Sequence, residues 1–479
     1  MDFVGDVKND EEITEIVYDS RLAKPACIFV CIAGYSVDGH NFAQNAYDNG
    51  ARCFVVEKDV SLPDDAQVFK VSDSRRSLGA MSAEFYSHPD RELKLIGITG
   101  TKGKTTTAHL VQKMLNSSGV PCGIIGTVGA EFNGNRYPTN NTTPESFELY
   151  KLFRKMLDDG AKAVALEVSS IGIKQGRVDN LNFAVGVFTN LSPDHIGKNE
   201  HDSFAEYADY KSKLFEHCNI AAFNYDDEAH SIMEKNCKCK KISFGVGNYD
   251  VSASNINTGE SSSSKGLSFD CSVFGELFEV KTSLKGYFNV YNVLASIAVS
   301  KSVGCDLEKA IASLADVQVR GRVESVQLDA DFDVIIDYAH NGLSLKSILE
   351  TLEKEKKNRL ICLFGSVGGR TQERREEMGV VAGSICDLCV VTSDNPNFED
   401  PMSVIADIVK AIESVNGKHY AEPDREKAIE YALSIAQKGD IILLAGKGHE
   451  EYQLINGEKI PFSEKEIVEN YVRRNKKNG

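Results

Sequence analysis

The sequence predicts an α/β protein whose parallel sheets are covered by helices on both faces. Its apolar runs are hydrophobic almost throughout, rather than alternating, and are separated by helix-length segments, which is the pattern of buried parallel strands. Of the 479 residues, 42% are hydrophobic and 26% are charged, a globular composition that excludes disordered and collagen-like chains. At roughly 150 residues per domain, this length suggests about three domains.

The net charge of −16 argues against nucleic-acid binding, which needs a basic surface. Small anionic ligands stay compatible with it, because local amides and a few cations can outweigh the global field. No apolar run reaches the ~18 residues that span a bilayer, and the acidic N-terminus lacks the build of a secretory signal. We therefore expect a soluble cytoplasmic protein without membrane insertion. Its twelve cysteines are expected to be reduced, as in other proteins without a secretory signal, and mostly buried. They do not predict a zinc site, because no second pair of closely spaced ligands accompanies them.

Strand and helix signals fall into three blocks. In the first, up to about residue 90, apolar runs predict strands at 27–34, 51–59 and 68–73. In the second, a helical pattern at 103–117 follows the first of five predicted strands, at 93–100, 123–129, 161–170, 183–192 and 220–227. From about residue 330, four more apolar runs alternate with helix-length segments. We expect hinges near Asp90 and Gly321, and a loop or hairpin tip in the serine-rich stretch 257–266.

The sharpest local signal is a glycine-rich loop between a predicted strand and a predicted helix, Gly97-Ile-Thr-Gly-Thr-Lys-Gly-Lys-Thr-Thr-Thr107. Glycines let the backbone wrap an anion, and the helix N-terminus directs N–H groups and the positive end of its dipole at phosphates. Lys104 would reach the β- and γ-phosphates, and the Thr105 hydroxyl would ligate Mg²⁺. The strict spacing would put glycine at Ile98, so the loop is a variant. It predicts binding of a nucleoside triphosphate.

Eight short motifs, taken in order, resemble those of the Mur ligase family. They are Gly100-Thr-Lys-Gly-Lys-Thr-Thr106, Asn141-Thr-Thr-Pro144, Glu167-Val-Ser-Ser170, Phe188-Thr-Asn190, Asp194-His195, Asp337-Tyr-Ala-His340, Asp394-Asn-Pro396 and Ala445-Gly-Lys-Gly-His-Glu450. The resemblance extends from about Asp19 to Gln453, nearly the whole chain. Within the family, the chain is most similar to the enzymes that add the third peptide residue to the cell-wall precursor.

This resemblance implies a three-domain architecture with a central P-loop ATPase-like parallel sheet and a C-terminal Rossmann-like domain. The expected domains are residues 1–90 for the UDP-sugar, 91–320 for ATP and 321–479 for the incoming amino acid. The implied reaction is the ATP- and Mg²⁺-dependent ligation of a free diamino acid to UDP-N-acetylmuramoyl-L-alanyl-D-glutamate through an acyl phosphate, in peptidoglycan synthesis. A monomer is expected.

The resemblance also nominates catalytic and ATP-binding residues. Thr105, Glu167 and His195 would hold metal ions, and Lys211 would be the lysine that the family carbamylates with CO₂, with Lys213 as the near competitor. ATP contacts are implied for Gly100, Thr101, Lys102, Gly103, Lys104, Thr105, Thr106, Asn289, Asn292, Arg322 and Asp337. The segment between Asp194 and Tyr207 is longer than expected for the family, which leaves the role of His201 open.

Substrate contacts follow from the same match. The muramoyl-dipeptide is assigned to Ser20, Asn141, Thr142, Thr143, Ser169, Gln175 and Arg177. The incoming amino acid is assigned to Arg370, Asp394, Asn397, Gly446 and Glu450. Arg177 could pair with a substrate carboxylate through its planar fork.

Asn397 bears on which diamino acid is added. Family members that select meso-diaminopimelate carry arginine at this place, to pair with the distal carboxylate, so asparagine favours L-lysine. Loss of a desolvated charge partner typically costs several kcal/mol. Diaminopimelate stays an alternative, because Arg374 or Arg375 could substitute and because the Gly-His-Glu450 ending is common in diaminopimelate enzymes. The further alternatives are another amino-acid ligase of the family, such as a folylpolyglutamate-type enzyme, and a P-loop ATPase without ligation.

Overall fold

The computed structural model describes residues 4, 5, 7, 11–34, 37–194, 196, 197, 200–258 and 266–476. Residue contacts divide the chain into two compact units. The first comprises residues 1–254, 271–278 and 291–313, and the second comprises residues 255–270, 279–290 and 314–479. The predicted metal ligand His195 lies outside the described residues, as does much of the serine-rich stretch 257–266.

The first unit begins with a four-stranded parallel sheet in the order β1-β2-β3-β4. Its strands are β1 (Glu15–Val17), β2 (Cys27–Val30), β3 (Cys53–Val56) and β4 (Gln67–Lys70). The helices of this region are α1 (Ala43–Asp48) and α2 (Ser74–Phe85), with short 3₁₀ turns at Ser20–Leu22, Gly39–Phe42 and Pro89–Arg91. All four residues of β3 are buried, as expected for a strand covered on both faces.

The central sheet follows. Its strands are β5 (Lys94–Thr99), β6 (Cys122–Gly126), β7 (Gly129–Phe132), β8 (Asn135–Tyr137), β9 (Ala163–Glu167), β10 (Phe183–Phe188), β11 (Cys218–Asn224), β12 (Lys240–Gly245), β13 (Val251–Asn257), β14 (Leu267–Val273) and β15 (Glu276–Thr282). From β12 to β8 the order is β12-β11-β10-β5-β9-β6-β7-β8. Pairing is parallel from β12 to β6 and antiparallel from β6 to β8.

Helices connect these strands. They are α3 (Lys104–Ser117), α4 (Ser146–Asp158), α5 (Ser170–Lys174), α6 (Phe204–Ser212), α7 (His230–Met233), α8 (Phe288–Val303) and α9 (Leu307–Ala312), with 3₁₀ turns at Lys213–His217 and Glu234–Asn236. Because β5, β9 and β10 are parallel neighbours, the loops after Thr99, Glu167 and Phe188 leave the same edge of the sheet. Ligands of open α/β sheets bind at such an edge.

The second unit contains a six-stranded sheet in the order β16-β17-β21-β18-β19-β20, antiparallel only between β16 and β17. Its strands are β16 (Glu324–Val326), β17 (Asp333–Asp337), β18 (Leu360–Phe364), β19 (Leu388–Val391), β20 (His419–Ala421) and β21 (Ile441–Ala445), and β22 (Tyr452–Ile455) pairs with β23 (Glu458–Pro461) in a hairpin. The helices are α10 (Gly342–Glu355), α11 (Gln372–Ile385), α12 (Pro401–Ser414), α13 (Arg425–Ser434) and α14 (Glu464–Lys476).

Side chains alternate between the two faces of this sheet, and helices cover both faces. Successive strand residues point to opposite faces. Leu443 of β21 packs in one apolar cluster with residues of α10, α11 and α12, whereas its neighbour Ile442 packs in another with residues of α13 and α14. No helix in the described part of the chain is both long and apolar enough to cross a membrane.

Candidate active site

The glycine-rich loop connects β5 to α3 at the edge of the central sheet. Gly103 caps α3 with φ 85°, a left-handed conformation that glycine adopts without strain. A Cβ on Gly100 would lie 2.0 Å from Oγ1 of Thr189, the residue that follows the neighbouring strand β10, so this close approach also requires glycine. Asn190 accepts from the Lys102 amide at 2.9 Å and donates to the Lys102 carbonyl at 3.0 Å. The residues after β10 therefore hold the loop in shape.

Two lysine side chains converge on one carbonyl oxygen of this loop. The Nζ atoms of Lys104 and Lys211 donate to the Gly100 carbonyl at 2.8 Å and 2.9 Å. Lys211 is 1% exposed, and its Nζ lies 4.6 Å from the ring centroid of Tyr207. Burial, reinforced by the charge of Lys104, lowers the pKa of Lys211 well below its ordinary value. A buried amine with a lowered pKa is available in its neutral, nucleophilic form.

Oxygen atoms gather around Glu167, at the carboxyl end of β9. The hydroxyls of Thr105 and Thr127 donate to Glu167 Oε2 at 2.9 Å and 3.1 Å, and the Thr127 amide donates to Oε1 at 2.9 Å. Glu167 is 1% exposed. A Cβ at position 126 would lie 2.1 Å from Glu167 Oε1, so Gly126 makes room for the carboxylate.

This arrangement fits magnesium, whose ligands are hard oxygens and which is often held by one or two carboxylates together with substrate phosphates. Thr105 and Glu167 are the side chains that would hold it. Among the described residues, no group of three or more His, Cys, Asp and Glu side chains could hold a metal ion.

Residues predicted to bind the muramoyl-dipeptide lie beside Glu167. Thr143 Oγ1 donates to the Glu167 carbonyl at 2.9 Å and accepts from the Ser169 amide at 2.9 Å. Arg177 donates to the Thr143 carbonyl at 2.7 Å and forms an ion pair with Glu145 at 3.0 Å. Hydrogen bonds to one buried residue, Glu167, thus connect the residues predicted to bind the dipeptide with the phosphate loop.

A separate polar cluster lies in the second unit, where the chain leaves β19 and β21. The fully buried Lys447 donates to Asn395 Oδ1 at 2.9 Å and to Glu450 Oε2 at 3.2 Å, and its Nζ is 3.6 Å from Asp394 Oδ1. A Cβ on Gly446 would lie 2.8 Å from Asp394 Oδ2, so glycine lets this loop approach the aspartate. The cluster contains two carboxylates and one ammonium.

Family models match along almost the whole chain. The Mur ligase family catalytic domain matches residues 12–86, the Mur ligase middle domain matches residues 98–300, and the Mur ligase glutamate ligase domain matches residues 321–448. A relative from Caldanaerobacter subterraneus subsp. tengcongensis is named UDP-N-acetylmuramoyl-L-alanyl-D-glutamate--2,6-diaminopimelate ligase, and it is 39% identical over 468 residues, 97% of this chain and 96% of its own. The chain belongs to the Mur ligase family.

Other relatives agree with this assignment. A Listeria monocytogenes protein with the same name is 38% identical over 476 residues, 97% of this chain and 95% of its own. A solved structure of a UDP-N-acetylmuramoyl-L-alanyl-D-glutamate--2,6-diaminopimelate ligase matches with a TM-score of 0.68 at 28% identity and covers 98% of both chains. The MurF ligase of Thermotoga maritima in complex with ADP shares the fold, with a TM-score of 0.63 at 19% identity over 98% of this chain and all of its own.

Membership settles the fold class and the reaction class. The chain has the three-domain α/β Mur ligase fold with a central parallel sheet, as the sequence predicts. Mur ligases are ATP-dependent enzymes that form amide bonds, and this Mur ligase is one of them.

The remaining predicted residues of this Mur ligase are less tightly grouped. Ser20 is buried in a 3₁₀ turn, Thr142 bonds to Thr127 at 3.1 Å, Asn141 is exposed, and Gln175 ends α5. In α8, Asn292 Oδ1 accepts from Thr107 Oγ1 at 3.3 Å, and Asn289 donates to the Lys285 carbonyl at 2.7 Å.

In the second unit, Arg322 lies over the ring of Tyr338, and Asp337 accepts from the amides of Val323 and Ala339. Arg370 is exposed. Asn397 has φ 51° and accepts from the Gly457 amide at 2.8 Å.

The sequence reasoning did not identify the residues that support the second cluster. Arg425 is 1% exposed and donates to the carbonyls of Ser393 and Ala445, which precede Asp394 and Gly446. It also pairs with the buried Glu464 at 2.7 Å. The sequence held no local signal for this role, because Arg425 is one of several charged residues in the first turn of α13, which Asp424 caps.

Proposed function

We propose that this Mur ligase joins the amine of a diamino acid to UDP-N-acetylmuramoyl-L-alanyl-D-glutamate at the expense of ATP. The observation that carries the proposal is the connection through Glu167. Its carboxylate accepts from Thr105 of the phosphate loop, while its carbonyl accepts from Thr143 of the dipeptide candidates. A carboxylate substrate held beside Thr143 and Ser169 would be close to the terminal phosphoryl group of ATP in the loop.

The chemistry explains the charges of the site. A carboxylate oxygen is a poor leaving group, so it is first phosphorylated, and the amine then displaces phosphate through a tetrahedral intermediate. Catalysis rests on positioning and on cations that offset the charge spread over the transferring phosphoryl oxygens. Lys104 supplies such a cation, and the amides of the loop and of the α3 N-terminus orient the phosphates. Magnesium at Thr105 and Glu167 would supply further positive charge there.

Lys211 is proposed to carry a carbamate. Its buried position and lowered pKa favour the neutral amine that reacts with CO₂. The amine nitrogen bonds to the carbon of CO₂ and loses a proton, so a neutral amine becomes a carbamate anion, which could orient a metal ion together with His195.

We propose L-lysine as the amino acid. The second cluster presents Asp394 and Glu450 against one buried ammonium, Lys447, which leaves one excess negative charge for a distal ammonium group. Asn397 provides no guanidinium for a distal carboxylate, and Arg375 is engaged by Glu399 and Asp407. The named relatives are 2,6-diaminopimelate ligases, so diaminopimelate is the competing candidate.

The remaining assignments complete the proposal. Domain boundaries at residues 90/91 and 320/321 lie close to the edges of the three matched models. The enzyme would act as a cytoplasmic monomer in peptidoglycan synthesis and so support cell shape and division.

A direct test combines purified protein, ATP, Mg²⁺, the UDP-dipeptide and single diamino acids. We expect a product mass for the dipeptide plus L-lysine, with phosphate release that needs both substrates. A product with meso-diaminopimelate alone would refute the choice of amino acid. Phosphate release that is independent of both substrates would indicate an ATPase without ligation.

A further inference from the structure

His201 is a fully buried histidine to which the sequence analysis gave no role. Its relative exposure is 0%, and its Nε2 is hydrogen-bonded to Ser170 Oγ at 2.9 Å. It lies between Asp194 and α6, and its carbonyl accepts from the Gly197 amide at 3.0 Å. A polar ring at such a depth is costly unless it is held by specific contacts.

On one side, His201 contacts the element that carries the dipeptide candidates. Ser170 begins α5, directly after Ser169, whose side chain caps the same helix by accepting from the Gly172 amide. The Ser169 amide in turn donates to Thr143 Oγ1. A bond from His201 to Ser170 therefore fixes the start of α5, on which the position of Ser169 depends.

On the other side, His201 packs against the support of the phosphate loop. Its ring meets that of Tyr207 edge to face, with centroids 5.4 Å apart. The Tyr207 hydroxyl is hydrogen-bonded to Thr101 Oγ1 at 3.0 Å, and its ring lies beneath Lys211 Nζ. His201 thus contacts both a neighbour of the dipeptide candidates and the tyrosine that touches the loop and the buried lysine.

We propose that His201 is a positioning residue that fixes the position of Thr143 and Ser169 relative to the phosphate loop and Lys211. This inference rests on the proposed function, because that relative position affects the reaction only if a carboxylate bound near Thr143 must meet a phosphoryl group. Histidine suits the position because one side chain supplies a hydrogen-bonding nitrogen for Ser170 and an aromatic edge for Tyr207. In the part of the chain that the structure describes, His201 bonds to Ser170 and packs on Tyr207 and Tyr210, so we expect its effect to pass through these neighbours.

The test compares four variants by steady-state kinetics, by calorimetric binding of the UDP-dipeptide and by thermal unfolding. His201→Phe keeps a ring but removes the bond to Ser170, and Ser170→Ala removes the partner. We expect each to lower kcat/KM for the UDP-dipeptide about tenfold, as for loss of one buried hydrogen bond. Most of this loss should be a rise in KM, with a matching rise in Kd. His201→Gln, which retains a side-chain nitrogen, should recover most of it.

The double variant His201→Phe/Ser170→Ala should be no worse than either single variant, because both remove the same bond. His230→Phe is the matched control, since His230 also packs on a tyrosine and bonds to a carbonyl but contacts neither Ser170 nor Tyr207 in the described structure. It should keep the wild-type KM.

Three results would overturn the inference. These are unchanged KM and Kd in His201→Phe, additive losses in the double variant, or a lower melting temperature with wild-type kinetics for the folded fraction. If the wild-type protein neither binds nor uses the UDP-dipeptide, the proposed function fails, and the inference fails with it. If the wild-type protein forms product and the variants match it, only the inference fails.

Discussion

Lys211 and Lys447 are both fully buried, yet their surroundings differ. Lys211 lies beside Lys104 and donates to a carbonyl oxygen, and among the described residues no carboxylate forms an ion pair with it, although the charge of Asp194 attracts it more weakly. Lys447 is enclosed by Asn395, Glu450 and Asp394. The first environment disfavours the charged form of the lysine, whereas the second one places carboxylate oxygens near Nζ. Burial alone therefore does not define the environment of a lysine, since one of these two lies beside another lysine and the other beside two carboxylates.

The largest expected effect concerns the cation beside Lys211. Lys104→Ala should lower turnover at least about a thousandfold, because a cation on the transferring phosphoryl group is worth that much in related chemistry. The melting temperature should stay close to that of the wild type. Lys113→Ala, on the same helix but away from the loop, is the control and should retain activity. Undiminished turnover in Lys104→Ala would contradict the assignment of the phosphate loop.

Lys211→Ala tests the reactive-amine side of the comparison. We expect a loss of about a hundredfold or more, on the scale of losing a group that stabilises the transition state. Added formate or acetate should restore part of the activity, because a small carboxylate can replace the carbamate. Lys213→Ala, whose lysine pairs with Asp209 at 3.3 Å, should behave like the wild type. Full activity of Lys211→Ala without rescue would refute the carbamate.

The two lysines should differ in how much each contributes to the free energy of unfolding. Lys447→Met should lower the free energy of unfolding by about 3 kcal/mol, because it leaves the buried Asp394 and the half-buried Glu450 without their cation. Lys211→Met should cost less, since among the described residues Lys211 forms no ion pair with a carboxylate and burial disfavours its charge. Urea denaturation of both variants measures the difference. Equal losses would show that the two environments are not distinct.

The pH dependence of stability provides a finer test. Between the lowered pKa of Lys211 in the folded chain and its ordinary pKa of about 10.4 in the unfolded chain, only the unfolded chain holds the proton. The free energy of unfolding of the wild type, relative to Lys211→Met, should therefore rise with pH in this window, by up to about 1.4 kcal/mol per unit. The measurement uses bicarbonate-free buffer, and a flat difference would contradict the neutral amine.

The smallest expected effect is on specificity. Asn397→Arg should shift the preference from L-lysine toward meso-diaminopimelate about tenfold, because a new guanidinium can pair with the distal carboxylate. Competition between the two amino acids, read from product masses, measures it. Asn397→Gln adds length without charge and should leave the preference unchanged. An unaltered ratio in Asn397→Arg would count against the proposed role of position 397.

The two regions also differed in how far the sequence predicted them. The phosphate loop is one contiguous segment between β5 and α3, so its residues could be read together. Apolar runs predicted the neighbouring buried strands β5 and β9, but they did not predict β12 to β15. The predicted strand 161–170 was too long, because β9 ends at Glu167 and the Ser169 amide donates to Thr143. Hydrophobicity marks the strand but does not show where a polar residue leaves the sheet.

Arg425 could not be predicted because its partners, at Ser393, Ala445 and Glu464, come from three distant segments. The role of His201 was left open for the same reason, since Ser170 lies 31 residues away. Both side chains act through tertiary contacts that leave no local spacing signal.

The central claim is that ATP activates the substrate carboxylate at the phosphate loop before the amine attacks. It is tested most directly by labelling the terminal glutamyl carboxylate of the UDP-dipeptide with ¹⁸O and analysing the phosphate released during ligation. An acyl phosphate transfers one labelled oxygen to phosphate for each amide bond formed, and this is the expected result. Unlabelled phosphate, formed together with a genuine amide product, would contradict the account.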